Sequence, residues 1–344
     1  MASAYRRLMT FAPLTARRQP AAAPGGRLIR RVPVWVWRAL MAQVGPAERI
    51  RFNLDPITTV DYATDLDYAA DGIREHRLDV MAPHGEHGPL PVYVYFHGGG
   101  WTSGDKSALT KYCASQAAGG MVVVNANYRK ATAVGMPQMI EDADSVLAWV
   151  RDNIADHGGD PGSIVIGGDS AGGQIAALYT AVVTRRELAA YYGVTPAIAP
   201  SSLRGLVQHC SAADLSVLFE RGFILSLGFL RMLLPHRARA AASTRSGLRR
   251  AARFLSPIEW VSPAHPPTLV TTSERDYFYR SSLNFAERLR ANGVRVDSLV
   301  YESSRRNTVH TWQQNARFPE SQEVYAALRR FVMSVASPEP AATG

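Results

Sequence analysis

The chain has 344 residues, of which 47% are hydrophobic and 19% charged, and this composition predicts a globular protein with a substantial core. Its longest apolar run, Gly222 to Leu234, is interrupted by Arg231 and is too short to span a bilayer, so we expect a soluble protein. The segment "LMTFAPLTA" (8–16) is too weakly apolar for a secretory leader, which predicts cytoplasmic residence, with membrane or envelope association as the alternative. Cys113 and Cys210 lack metal-ligand spacing, which argues against a zinc site or a disulfide framework and predicts two reduced, buried thiols.

The formal net charge of +9 is concentrated in two segments. Residues 1–31 contain seven arginines and no acidic residue, and residues 231–253 contain seven more arginines. We interpret both segments as solvated surface, with contact at a membrane periphery or with another polyanion as the alternative. Because no nucleic-acid-binding motif accompanies them, we predict no nucleic-acid partner. The oligomeric state is not indicated by the sequence.

The first predicted element is a helix from Val32 to Gly45, begun by a proline and ended by Gly45 and Pro46. From residue 57 onward, short β-branched runs alternate with helical stretches. The predicted strands lie within residues 57–64, 75–83, 90–100, 121–128, 163–170, 205–210, 267–274 and 297–303, and the predicted helices are Gln138–Asp156, Ala171–Thr184, Ser281–Ala291 and Ser321–Val335. This alternation predicts an α/β fold with a mostly parallel sheet and helices on both faces.

Residues 212–258 interrupt this rhythm because they contain no strand pattern. An apolar helix is predicted there from Leu215 to Leu234, followed by the arginine-rich stretch. We therefore divide the chain into four parts. These are a basic N-terminal segment with a cap helix (1–56), an α/β core (57–211 and 259–338), a cap insertion (212–258) and a disordered tail (339–344).

A serine stands among small residues in the sequence Gly168-Asp169-Ser170-Ala171-Gly172, between a predicted strand and a predicted helix. Such a sharp turn exposes the serine oxygen, and a larger side chain two residues away would block it. The amide of Ala171, at the start of the helix, would point to where an oxyanion forms. The alternative is a glycine-rich turn with a capping serine.

A second glycine cluster, His97-Gly98-Gly99-Gly100-Trp101, follows the third predicted strand. Consecutive glycines let the main chain approach a ligand and present its N–H groups, as an oxyanion hole requires. A phosphate-binding loop is the alternative, but the lysine and the Gly-x-Gly-x-x-Gly spacing of such loops are absent. We interpret His97 as a structural residue that holds the loop.

Five segments resemble the hormone-sensitive-lipase-like branch of the α/β-hydrolases. They are "YFHGGGW" (95–101), "NYRKA" (127–131), "MPQMIEDADSVLAWVRDN" (136–153), "DPGSIVIGGDSAGG" (160–173) and "PPTLVTTSERD" (266–276). Over residues 57–335 the resemblance implies an eight-stranded, mostly parallel sheet, a cap and a Ser-Asp-His triad that needs no cofactor or metal. The chain departs from the family where "DYFYRSS" (276–282) replaces "DPLRDEG", where "NYRKATA" replaces "DYRLAPE", and where "TW" replaces "GF" after the histidine.

In this fold the triad follows the order serine, acid, histidine, with each residue on a loop after a strand. His310 is the only histidine beyond residue 265 and follows the last predicted strand, and Asp276 matches the family's aspartate. Glu274 and Glu302 remain competitors for the acid. Asp169 is interpreted as a structural hydrogen-bonding residue.

These residues predict a serine carboxylic-ester hydrolase that forms a covalent acyl-enzyme with short- to medium-chain substrates. Its expected partner is a small-molecule ester or a lipid. Alternatives are an amidase or formamidase on the same triad, a lipase for longer chains, and a non-catalytic ligand-binding protein. The predicted helix from Leu215 to Leu234 is either buried against the core or, with Trp35 and Trp37, walls an acyl pocket. The pocket candidates are Trp101, Trp312, Phe219 and Phe223.

Overall fold

The computed structural model describes residues 31–85 and 88–336. Most of the predicted basic segment (1–30) and the predicted tail (339–344) lie outside the described residues. The strands are β1 (Val60–Asp67), β2 (Arg77–Pro83), β3 (Leu90–Phe96), β4 (Val122–Ala126), β5 (Gly159–Asp169), β6 (Leu203–His209), β7 (Thr268–Ser273) and β8 (Val296–Tyr301). The helices are α1 (Val34–Phe52), α2 (Thr110–Ala117), α3 (Met136–Asn153), α4 (Ser170–Thr184), α5 (Arg186–Tyr192), α6 (Gly228–Leu233), α7 (His236–Arg239), α8 (Arg245–Ala252), α9 (Tyr279–Ala291) and α10 (Pro319–Ala336).

The eight strands form one sheet in the order β1-β2-β4-β3-β5-β6-β7-β8. β2 is antiparallel to β1 and β4, and all other neighbours are parallel. Each strand overlaps one of the predicted segments, although β1, β5, β6 and β8 extend beyond them, and the predicted α/β class with a mostly parallel eight-stranded sheet is confirmed. The carboxyl ends of the parallel strands meet at one edge, where ligand sites of such sheets are found.

Both faces of the sheet are buried, which explains the nearly continuous apolar runs of the central strands. Along β3, Val94 packs into the core layer that holds α3 and α4, whereas its neighbours Tyr93 and Tyr95 face the layer that holds α2 and α10. All three side chains are fully buried. The sheet thereby fixes the loops at its carboxyl edge between two packed helical layers.

The first helix is longer than predicted. It continues through Gly45 and Pro46 and ends at Phe52. Phe52 is buried, and the next residue, Asn53, bonds to the carbonyl oxygen of Ser107 over 2.7 Å and accepts from the amide of Lys111 over 2.9 Å. These contacts with the core hold the last turns in place and outweigh the helix-breaking tendency of the Gly-Pro pair.

The single helix predicted from Leu215 to Leu234 is wrong. Leu215–Phe219 forms a 3₁₀ turn, and α6 begins only at Gly228. Gly222 adopts a φ of +84°, which interrupts a right-handed helix. The residues after Gly222 pair with the N-terminal segment instead of continuing a helix. The Val32 amide donates to the Ile224 carbonyl over 2.8 Å.

The two predicted cap segments contact each other. Val32 forms a parallel bridge with Leu225, and the rings of Trp37 and Phe229 meet edge to face at 6.4 Å. The apolar surface of residues 224–230 is therefore shared between α1 and the core. Among the described residues, no helix combines the length and the apolarity that a membrane crossing requires.

Candidate active site

Ser170 is the first residue of α4 and directly follows β5. Its φ of +51° is unusual for a residue with a side chain and marks a strained turn. A Cβ atom added at Gly168 or at Gly172 would collide with the carbonyl oxygen of Phe96. The small neighbours are thus required for the close approach of β3 and α4 that forms this turn.

His310 joins Ser170 to Asp276. Its Nε2 lies 3.0 Å from Ser170 Oγ, and its Nδ1 lies 2.7 Å from Asp276 Oδ1. The Asp276 carboxylate also accepts from the Phe278 amide over 3.0 Å and from the Thr272 hydroxyl over 3.2 Å. Because the carboxylate is held by three donors, it fixes the orientation of the imidazole. The geometry suits a hydroxyl nucleophile, a base and an orienting acid.

The competing carboxylates lie elsewhere. Glu274 is exposed and accepts from the Ser303 amide over 2.9 Å, and Glu302 is also exposed. Among residues 31–85 and 88–336, Asp276 is the carboxylate that hydrogen-bonds to His310. The geometry therefore favours Asp276 as the acid.

Asp169 is buried beside the nucleophile and is hydrogen-bonded to groups other than His310. Its Oδ1 accepts from the Tyr95 hydroxyl over 2.5 Å and from the Gly98 amide over 2.9 Å, and its Oδ2 accepts from Gln314 Nε2 over 3.0 Å. Burial raises the pKa of the Asp169 carboxyl, and the bonds from Tyr95 and Gly98 oppose this rise. Asp169 ties the glycine loop to the turn that follows His310.

The glycine loop supplies fewer free donors than the sequence indicated. The Gly98 amide already donates to Asp169, so we correct its assignment as an oxyanion donor. The amides of Gly99 and Gly100 make no hydrogen bond within the described part of the chain. Ala171 lies in the first turn of α4, where amides have no acceptor within the helix. Gly99, Gly100 and Ala171 remain as candidate donors.

His97 holds the base of this loop. Its ring stacks on Tyr128 with centroids 4.6 Å apart, and its Nδ1 bonds to the Gly98 carbonyl oxygen over 2.7 Å. Burial lowers the pKa of His97 to about 4, so the ring is neutral near pH 7. These contacts agree with the predicted structural role.

Two of the four pocket candidates lie in the core. Trp312 is buried in the layer under α10, where its ring meets Tyr301 edge to face at 5.5 Å. Trp101 is buried between the loop and the cap, and its Nε1 donates to Gln174 Oε1 over 2.9 Å. Both tryptophans pack beneath the loops around the site. Their predicted assignment to the substrate pocket is therefore wrong.

The two phenylalanine candidates differ from each other. Phe219 is buried, and the guanidinium groups of Arg245 and Arg249 cover its ring at 5.7 and 4.9 Å. Phe223 is half-buried, and its ring lies 5.6 Å from Phe278, which in turn lies 5.8 Å from His310. Of these two, only Phe223 reaches the surroundings of the triad.

Tyr277 was missed by the sequence analysis. Its ring stacks against His310 with centroids 4.0 Å apart, and its hydroxyl lies within hydrogen-bonding reach of Ser170. Burial raises the pKa of Tyr277 well above its usual value, so the hydroxyl stays neutral and can donate. The signal was present in "DYFYRSS", where the chain departs from the family immediately after Asp276.

The two tryptophans of α1, Trp35 and Trp37, differ in their contact with the site. Trp37 Nε1 donates to the Gly99 carbonyl over 3.4 Å, whereas Trp35 is 72% exposed and cannot wall a pocket.

Cys113 and Cys210 are free and buried, as predicted. Donor atoms of Cys210, Asp276 and His310 lie within 4.8 Å of one another, but the last two already bond to each other.

The Gly98→Ala variant tests the link between the glycine loop and Asp169. The added methyl group would collide with the Asp169 carboxylate and displace the loop, so we expect kcat to fall about 10²-fold, as for the loss of one oxyanion donor. Gly45→Ala in α1 is the matched control because a Cβ there meets nothing within 4 Å. The rate of ester hydrolysis is measured for each variant, and thermal melting curves of the same samples show whether a lower rate reflects an altered site or an unfolded protein. Equal rates for both variants would contradict the proposed role of the loop.

Comparison with known sequences identifies the family of the chain. A family model described as the alpha/beta hydrolase fold matches residues 93–313. The chain is 29% identical over 243 residues to carboxylesterase NlhH of Mycobacterium tuberculosis, covering 66% of this chain and 69% of the relative. It is 31% identical over 219 residues to esterase LipQ of the same organism, covering 62% of this chain and 48% of that relative.

Solved structures share the fold. Esterase B from Lactobacillus rhamnosis superposes with a TM-score of 0.76 at 22% identity, covering 87% of this chain and 94% of the other. An esterase from Pyrobaculum calidifontis superposes with a TM-score of 0.65 at 24% identity, again covering 87% and 94%. At these identities the likeness concerns the fold.

Proposed function

The chain belongs to the α/β-hydrolase fold family, in its hormone-sensitive-lipase-like branch, and we propose that it is a serine carboxylic-ester hydrolase. The observation that carries this proposal is the position of His310, which bonds to Ser170 on one side and to Asp276 on the other. The names of the relatives NlhH and LipQ, a carboxylesterase and an esterase, support the same reaction type.

The proposed reaction begins with attack by Ser170 Oγ on the ester carbonyl carbon. His310 Nε2 accepts the hydroxyl proton as the new carbon–oxygen bond forms. The negative charge that develops on the carbonyl oxygen is stabilised by the amides of Gly99, Gly100 and Ala171. His310 then donates the proton to the departing alkoxide, which leaves as the alcohol and yields the acyl-enzyme.

Water completes the cycle by the reverse route. His310 takes a proton from water, the hydroxide adds to the acyl carbon, and the tetrahedral intermediate again uses the same amides. Collapse returns the proton to Ser170 and releases the carboxylic acid. Throughout both halves, Asp276 stabilises the imidazolium and keeps Nδ1 protonated.

The first test is covalent labelling of the full chain with a fluorophosphonate. We expect the label on Ser170 alone, because its hydroxyl has both a base and nearby amide donors. Mass spectrometry of the digested protein locates the modified residue, and Ser163→Ala serves as the control because Ser163 is another buried serine on β5. The Ser170→Ala variant should remain unlabelled. A label on another serine, or none on the native chain, would overturn the proposal.

For the substrate, we propose acyl esters of short to medium chain length. Phe223, Tyr277 and Phe278 form an aromatic group beside His310, and such walls favour added methylene groups by up to about 0.8 kcal/mol each. The cap residues contact the glycine loop through Trp37 and thereby limit the space next to it. The assignment of residues 31–56 and 212–258 as a cap, and cytoplasmic residence, stay predictions.

A chain-length series tests this substrate class. We expect kcat/KM for p-nitrophenyl esters to peak between about C4 and C8, because methylene burial raises it until the pocket is full. Phe223→Ala should lower the C8 rate more than the C2 rate, since only the longer chain would reach that ring. A steady rise to C16 with interfacial activation would identify a lipase instead. Hydrolysis of p-nitroanilides in preference to esters would favour the amidase alternative.

A further inference from the structure

The outer face of α1 is apolar and exposed. Trp35, Ala39, Ala42, Pro46 and Ile50 recur at intervals of three and four residues, so they share one side of the helix. All five are exposed, Trp35 to 72% and Ile50 to 68%. Leu40 and Val44 are also exposed, but they lie farther round the helix and do not belong to this row. Large apolar side chains grouped in this way mark an interaction surface.

The opposite side of α1 is firmly attached to the protein. Trp37 contacts the glycine loop and Phe229, and Phe52 is buried at the end of the helix. The helix is therefore fixed in one rotation, with its apolar row directed outward. Within the described part of the chain, no residue covers that row.

The segment that contains α1 and the segment that packs against its inner side carry a strong positive charge. Residues 31–56 and 212–258 together contain twelve arginines and four acidic residues, a formal net charge of +8. Residues 57–211 and 259–344 carry a net charge of −5. On α1 itself, Arg38 and Arg49 are exposed along one border of the apolar row.

We propose that the outer face of α1 docks onto an anionic lipid surface. A helix lying in a membrane interface combines exposed Trp and Ile side chains with flanking arginines, because the former enter the acyl boundary and the latter pair with anionic headgroups. A second copy of this chain fits less well, since it would bring the arginines of two α1 helices together and they would repel each other. The proposal rests on surface chemistry and does not depend on ester hydrolysis.

Docking would bring lipid close to the candidate site. A helix with its side chains is about 10 Å in diameter, and the inner face of α1 contacts the carbonyl oxygen of Gly99 through Trp37. The glycine loop therefore lies against the side of α1 that is opposite the docked surface.

Vesicle flotation tests the proposal on the full chain. The Ser170→Ala variant is used so that hydrolysis cannot alter the lipid. We expect it to float with vesicles of phosphatidylcholine mixed with phosphatidylglycerol, and not with phosphatidylcholine alone. Raising the salt concentration should weaken binding because it screens the arginines. Equal binding to both vesicle types would overturn the proposal.

Apolar variants locate the contact. Trp35→Gln combined with Ile50→Gln should weaken binding at least about tenfold, because two side chains no longer enter the lipid. The matched control is Ile73→Gln with Val300→Gln. These two apolar side chains are exposed on the surface of the α/β part of the chain, and this double variant should bind vesicles as the parent does. If both pairs bind alike, the proposal fails. The proposal also fails if light scattering shows that the Trp35→Gln and Ile50→Gln double variant is a monomer where the parent is a dimer, while vesicle binding is unchanged.

Charge variants test the second component. Arg38→Gln with Arg49→Gln should lower affinity about 25-fold, or about fivefold for each charge near the surface. Arg288→Gln with Arg330→Gln removes two exposed arginines of α9 and α10 and should change affinity by less than about twofold. An equal loss for both pairs would indicate a response to net charge alone and would overturn docking through α1.

Discussion

Ser170→Ala and His310→Ala should each lower kcat for a p-nitrophenyl ester by about 10⁶-fold. The serine supplies the attacking oxygen, and without the histidine 3.0 Å away its hydroxyl has no base. The double variant should be little slower than either single variant, because the two residues act as one unit. Single-turnover and steady-state rates of the three purified variants provide the measurement.

The controls for this prediction are residues of the same type outside the site. Ser163→Ala removes a buried hydroxyl from β5 that has no hydrogen-bond partner among the described residues, and it should keep kcat within about twofold. His157→Gln removes a partly exposed histidine after α3 with the same expectation. Thermal melting curves should show all variants folded. A Ser170→Ala enzyme that retained a tenth of the native rate would rule out the serine mechanism.

Much of the fold could be predicted because strong local patterns agreed with tertiary packing. The runs of β3 and β4 are apolar at successive positions because both sheet faces are buried, and this identified central strands. The turn at Ser170 was also predictable, since glycines at 168 and 172 are needed where strand and helix approach closely. The residues that determine these strands and this turn lie next to one another in the sequence, so a local pattern is enough to predict them.

The errors arose where distant segments decide the structure. Residues 215–234 are mostly apolar, but the partner of Leu225 is Val32, which lies more than half the chain away in sequence. The bond from the Gly98 amide to Asp169 likewise joins two loops. Trp312 lies two residues after His310, yet its ring packs in the core under α10. Proximity in sequence does not give the direction of a side chain on a loop.

Tyr277 and Trp37 show a different limit of sequence analysis. Both aromatic residues were visible in the sequence, but their contacts with His310 and with the glycine loop depend on loop and helix placement. The departure "DYFYRSS" indicated that this part of the site would differ from the family. It did not indicate which side chain would reach the triad.

Asp276→Asn should lower kcat by about 10⁴-fold while leaving KM nearly unchanged. The amide has nearly the same shape as the carboxylate but only one oxygen. At the Oδ2 position this oxygen still accepts from the Thr272 hydroxyl, whereas the bond from the Phe278 amide to Oδ1 is lost. Its NH₂ group, however, would face His310 Nδ1 and favour the tautomer that carries the proton on Nε2. That nitrogen could then donate to Ser170 but could no longer accept its proton.

Glu274→Gln and Glu302→Gln are the matched controls for the acid, because both make the same chemical change near strand ends. Each side chain is exposed, and Glu274 accepts only a backbone bond from Ser303, so we expect kcat within about threefold of the native value. The pH dependence of fluorophosphonate labelling provides a second readout, since a mispositioned imidazole should slow labelling of Ser170 without unfolding the chain. If either glutamine variant were slower than Asp276→Asn, the acid would have to be reassigned, because the hydrogen bond between Asp276 and His310 would then not be the one that orients the base.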